Sequence, residues 1–219
     1  MLGLALLYQP EFYLHRMQTS FGAMDLSNSM QTALGLGTYV MLSTVLCVIP
    51  YADRYCWERR TRYQIYAQHR QGKANYMISK LCATAVSGGC SIAMPFLIFC
   101  VLQSLIFQPE PFNLELLNTA FSESGFFFLY GSAWATMALG VSTLTSSPLV
   151  VLAVPICIER GSQLIAVAFK CDWFRLSDAI AVQCGSVYSN GQIIIIDALL
   201  LFVGMMVFLI GMVRNNYET

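Results

Sequence analysis

The chain has 219 residues, 57% of them hydrophobic and 11% charged, with twelve basic and twelve acidic side chains balancing to a formal net charge of zero. A soluble domain of this length carries charge on roughly a quarter of its residues. The composition therefore excludes an ordinary water-facing surface and points to a chain threaded through a bilayer.

Met1 to Tyr8 is apolar but too short to cross a bilayer. No basic segment precedes it and no small-residue cleavage site follows, which argues against a signal peptide. Two accounts remain open: the outer end of a first transmembrane helix whose inner half lies outside this sequence, or a short interfacial anchor. Five longer apolar runs follow, at about 28–52, 76–107, 124–145, 148–169 and 193–213. Each can supply the ~20 helical residues that span a hydrocarbon core of about 30 Å. Helix is the expected form, because a backbone exposed to lipid must satisfy its own hydrogen bonds. Glycines and prolines inside the runs (Gly35, Gly37, Gly88, Gly89, Pro95, Pro155) suit close helix packing and tolerated kinks in a membrane. The expected fold is all-α and polytopic: five complete transmembrane helices plus the remnant of a first, in a single transmembrane domain.

Seven of the twelve Lys and Arg residues fall between 54 and 80: Arg54, Arg59, Arg60, Arg62, Arg70, Lys73 and Lys80. The positive-inside rule makes this segment cytoplasmic. Residues 9–27 carry only Arg16, and 108–123 carry no Lys or Arg but do carry Glu110, Glu115 and Glu123. Both are expected outside. So are residues 170–192, where Lys170 and Arg175 are balanced by Asp172 and Asp178. Thr145-Ser146-Ser147-Pro148 reads as a tight inner turn that makes a hairpin of the runs on either side.

Eight cysteines do not form a metal pattern. Cys47, Cys82, Cys90, Cys100 and Cys157 lie inside apolar runs, where they act as small hydrophobes. His15 and His69 are far from any Cys/His cluster, so no metal is expected. Cys171 and Cys184 share one outer loop and are either a disulfide or two free thiols.

Residues 53–75 join two apolar runs on the basic side. Tyr55, Tyr63 and Tyr66 recur near helical spacing with arginines between them, a pattern that suits a helix in the headgroup zone. A long apolar helix, then Glu58-Arg59, then Tyr63, then Tyr76-Met77-Ile78-Ser79-Lys80 opening the next helix also resembles the permease subunits of ABC-2 type ABC transporters. The span count, the Ser87-Gly88-Gly89 stretch and the late hairpin are similar as well. That family often has a glycine soon after the glutamate, where this chain runs from Arg59 to Arg62. The resemblance implies that the segment is a coupling helix docking on a separate ATP-binding subunit, with Glu58, Arg59, Arg62, Tyr63 and Tyr66 as contacts. Arginine forks and aromatic rings are the residue types that dominate such interfaces. ATP and Mg would then sit on the partner, in keeping with the lack of a Gly-x-x-x-x-Gly-Lys-Ser/Thr motif in this chain. A homodimer or a second permease subunit is implied too, along with membrane lipid, no nucleic-acid partner and a plasma-membrane location. The mostly apolar interior favours export of an amphipathic or hydrophobic substrate.

Ionisable residues within the runs are the remaining signal. Glu159 and Arg160 sit inside the run at 148–169, where a charge costs several kcal/mol unless paired or facing a cavity. Adjacent helical residues point about 100° apart, so the two are expected to reach other helices or water. They either line a translocation path or lock a dimer interface, or else they serve a helix broken near Pro155. Asp197 is expected near the outer interface. Phe126-Phe127-Phe128, Tyr130 and Trp134 suit an interfacial belt or helix packing. An intramembrane protease is disfavoured because neither histidine lies in a run and the acids lie in different ones. An ion-driven carrier is disfavoured by the small number of spans and the lack of an internal repeat. An accessory membrane protein without transport of its own is the main alternative.

Overall fold

The computed structural model describes residues 37–61, 63–107, 114–170, 176 and 189–217. They form helices α1 (Gly37–Arg60), α2 (Tyr63–Gln71), α3 (Lys73–Phe107), α4 (Leu114–Leu144), α5 (Pro148–Phe169) and α6 (Asn190–Tyr217). No strand occurs among the described residues. Among the described residues four helical stretches are long and apolar enough to cross a membrane: Lys73–Ile98, Phe121–Leu144, Pro148–Phe169 and Gly191–Arg214. α1 is not among these four; its last turns carry Asp53, Arg54, Glu58, Arg59 and Arg60.

α4 is the axis of the bundle. Of its membrane-length stretch 78% is buried, against 33% for α3, 28% for α5 and 22% for α6. Small residues set how closely the neighbours approach. A Cβ on Gly131 would lie 2.5 Å from the Gly88 carbonyl oxygen, and one on Gly204 would lie 2.7 Å from the Met137 amide nitrogen. α3 and α6 thus touch α4 backbone to backbone, which concentrates dispersion contact where no hydrophobic drive separates lipid from protein.

Polar residues on these helices are accommodated locally. Ser124, Ser132, Thr136, Ser142 and Thr143 of α4 each donate to the carbonyl three residues back. Their hydroxyls can therefore be buried without seeking another helix. The outward faces of α5 and α6 are apolar, with Leu149, Leu164, Val167, Phe169, Ile195 and Ile210 exposed.

The ends of the helices follow from local chemistry. α1 runs on through residue 53 to Arg60, so the basic segment begins as the last turns of that helix. Gly72 separates α2 from α3 with φ +82°, a left-handed conformation that suits glycine. Its N–H donates to the Gln68 carbonyl (2.9 Å) and its own carbonyl accepts from Tyr76 N–H (3.1 Å), so one residue ends α2 and starts α3. Between α4 and α5, Thr145–Ser147 form the short turn, and Pro148 opens α5 where its missing N–H costs nothing. α5 is unbroken through Pro155, which is buried, so a break there does not account for Glu159 and Arg160. At the start of α6 the Gln192 side chain accepts from Ser189 N–H (3.0 Å), a capping contact.

Candidate functional site

Two polar centres stand out, one at the arginine-rich end of the bundle and one midway along it. At the arginine-rich end, Glu58 of α1 is 5% exposed. Its Oε1 lies 2.6 Å from Lys80 Nζ and its Oε2 accepts from the Tyr76 hydroxyl at 3.0 Å. The Lys80 ammonium also lies 5.8 Å from the centre of the Tyr76 ring. Residues 58, 76 and 80, separated in sequence by a whole helix, therefore form one cluster that staples α1 to the start of α3. Arg59 turns the other way and donates to the Thr143 carbonyl (2.9 Å), while Arg60 donates to the Ser146 carbonyl (3.2 Å). Both cap the last turn of α4 and the turn after it, where carbonyls lack helical partners and the helix dipole is negative.

α2 lies across this end and is anchored by Ala67, which packs with Tyr55, Tyr76, Leu139, Phe208 and Met212. Met212 of α6 ties the junction together, its sulfur accepting from the Tyr55 hydroxyl (2.9 Å) and the Gln64 amide (3.2 Å). With Ala67 turned inward, Tyr63 and Tyr66 are turned out, 52% and 65% exposed, their rings 6.4 Å apart. An open cavity of about 330 Å³ lies beneath them, lined by Glu58, Tyr63, Gln71, Tyr76, Ser79 and Lys80 among others. Of the five residues singled out for docking, Glu58 and Arg59 make contacts inside the bundle and Tyr63 and Tyr66 form an outward aromatic pair. Arg62 lies outside the described residues, as do Cys171 and Cys184.

The mid-bundle centre draws on four helices. Glu159 of α5 is wholly buried and its Oε2 accepts a short hydrogen bond from the Thr44 hydroxyl of α1. Arg160 donates instead to Gln163 on its own helix, at 2.8 Å. The two adjacent residues thus diverge, one inward to α1 and one along α5. Tyr130 and Trp134 of α4 are both 0% exposed, with rings in edge contact at 6.1 Å. They belong to the packed interior, alongside Phe96 and Phe127, and not to a surface belt.

Asp197 corrects the expectation of an interfacial carboxylate: it is 2% exposed. The reason is its position on α6, one turn after Ile193 and seven residues before Gly204, on the stripe that continues to Phe208 and Met212 and faces α4. α4 and α6 run parallel, with Gly204 against Thr136 and Gly211 against Thr143. Stepping back seven residues on each helix brings Asp197 level with Leu129, next to Tyr130 in the sequence. Glu159 and Asp197 both lie within electrostatic reach of the Tyr130 hydroxyl, and Thr44 lies beside it. Glu159 Oε1, Asp197 Oδ2, the Tyr130 hydroxyl, Trp134 Nε1 and Arg160 Nη2 are buried without a hydrogen-bond partner. The sequence holds a signal in its two acids within apolar runs, but only the packing of the helices sets Glu159 against Thr44 and buries Asp197. Among the described residues no group of three His, Cys, Asp or Glu side chains could hold a metal ion.

Among the described residues the chain is all-helical, with four helices long and apolar enough to cross a membrane, a polar staple at the basic end and buried polar groups within the bundle. No protein-family model, curated protein or solved structure matches the chain.

Proposed function

We propose that the chain is the membrane-spanning permease subunit of an ABC transporter of the ABC-2 type, an exporter driven by a separate ATP-binding subunit at the plasma membrane. In this reading α1 is a further span and the arginine-rich end faces the cytoplasm. ATP and Mg sit on the partner, and a second permease copy or a related subunit completes the translocation path. One observation carries the reading: the Glu58–Tyr76–Lys80 staple ties α1 to α3 on either side of α2, and α2, anchored by Ala67, points Tyr63 and Tyr66 outward. A short helix fastened to two long ones in this way transmits a push from outside as a movement of both. The exposed ring pair supplies the large, low-entropy contact area that protein interfaces favour.

Photo-cross-linking from positions 63 and 66 in cells expressing the neighbouring ATP-binding subunit tests it. A specific cross-link to that subunit is expected, and Tyr63→Ala/Tyr66→Ala should weaken the association at least ~10-fold, the effect of losing a hot-spot pair. No cross-link at either position would overturn the proposal.

A further inference from the structure

The cavity beside α2 has features that the docking of an ATPase does not use, and they stand whether or not that reading holds. The inner part of its wall carries one full charge of each sign. Glu58 and Tyr76 are buried there, and the Lys80 ammonium meets the Glu58 carboxylate at 2.6 Å. Its mouth is set by three exposed residues, Tyr63 and Gln71 of α2 and Ser79 of α3. The volume, about 330 Å³, falls in the range of small-molecule sites.

Charge and position say which molecule fits. The two charged side chains sum to zero, so a molecule bearing both signs meets an opposite charge at each end, which a lone anion or cation does not. Each Glu58 oxygen takes one donor, from Lys80 or Tyr76, and a carboxylate oxygen can accept a second. A primary ammonium has N–H groups to give it; a trimethylammonium has none and needs a cage of aromatic faces. The Lys80 ammonium and the Ser79 hydroxyl are donors of the kind a phosphate accepts. The rim adds a further requirement. Ser79 and Ala83 lie within Lys73–Ile98, the membrane-length stretch of α3. At helical spacing Val86 and Met94 continue the same side of α3, and they are 53% and 54% exposed. One edge of the mouth is thus polar and the other runs onto an exposed apolar track. Such an entrance suits an amphipath.

We infer that this cavity binds the headgroup of a zwitterionic phospholipid with a primary ammonium, a phosphatidylethanolamine from the leaflet at the basic end. The ammonium sits against Glu58 and the phosphate against Lys80 and Ser79, while the acyl chains follow α3 past Val86 and Met94. A lipid so placed touches α1, α2 and α3 together. It thereby ties the setting of α2 to the composition of the bilayer.

Native mass spectrometry of the purified protein, titrated with lipids of identical acyl chains, reads the site. Phosphatidylethanolamine should bind at least ~10-fold more tightly than phosphatidylcholine or phosphatidylglycerol, the factor that one hydrogen bond to a charged group supplies. Ser79→Trp fills the mouth and leaves Glu58, Tyr76 and Lys80 in place; it should abolish that preference. Glycerophosphoethanolamine, which has the headgroup and no acyl chains, should bind at least ~10-fold more weakly than the lipid. Equal affinity for the three lipids would overturn the inference, and so would a preference that Ser79→Trp leaves intact. A preference for phosphatidylglycerol would mean a general basic surface, and equally tight binding of the soluble headgroup would mean a soluble ligand; either result would overturn it too. Should Ser79→Trp fail to fold, Ser79→Glu puts the same question by setting a carboxylate against the phosphate.

Discussion

Glu58 shows how much one side chain can organise. Its carboxylate takes donors from two residues of α3, the Tyr76 hydroxyl and the Lys80 ammonium. Removing one member of such a pair costs more than the pair itself contributes. Lys80→Met should therefore destabilise the protein by about 1.5–3 kcal/mol, the range for hydrogen bonds to charged groups. Glu58→Gln/Lys80→Met should cost less than the sum of the two single changes; thermal unfolding in detergent measures both. A purely additive result would show that the two side chains do not interact. Thr44 is the counterpart midway along the bundle. Thr44→Val keeps the shape but removes the hydroxyl that Glu159 accepts from. The expected loss is about 1–3 kcal/mol, with no change in the spacing of the helices. At this scale the sequence was informative about which residues matter and silent about whom they touch. Glu58, Tyr76 and Lys80 stand out by their motif. That Glu58 faces α3, and not a partner's surface, depends on how α1 is rotated.

The helices owe their mutual distances to glycine. Gly88 and Gly131 bring α3 and α4 together; Gly140, Gly204 and Gly211 do the same for α4 and α6. Adding a side chain at Gly131 pushes on the Gly88 carbonyl, which is backbone and cannot swing aside. Gly131→Val should lower the unfolding midpoint markedly, by an amount equivalent to several kcal/mol of overpacking and lost contact. Gly125→Ala, on the same helix but with nothing within 4 Å of the new carbon, should leave it unchanged. Equal effects at the two positions would refute close packing as the role of Gly131. The helix extents were largely legible in the apolar runs: α5 spans Pro148–Phe169 and the late turn lies between α4 and α5. α1 was legible in its apolar half alone. Its last turn is charged, with Glu58 meeting α3 and Arg59 and Arg60 meeting the end of α4 and the turn after it, and hydropathy gives no sign of continued helix there.

For the molecule as a whole, the distribution of charge makes a prediction about direction. Both Arg59 and Arg60 hold the turn between α4 and α5, and α2 lies at that same end, while Ser189 caps α6 at the other. In a background free of native cysteines, a cysteine at Gln71 should be labelled by impermeant reagents only in inside-out vesicles. One at Ser189 should be labelled in intact cells. Labelling of both from the same side would contradict the arrangement. The sequence by itself determined the helical class and the extents of the apolar helices, and it marked the basic end. These follow from transfer energies and local hydrogen bonding, which act residue by residue. Only the tertiary structure decided that α4 is the axis, that Asp197 lies buried, and that Glu58 turns inward while Tyr63 and Tyr66 turn out. Each of those depends on rotation and register between helices, which are set by the contact of small residues distant in sequence.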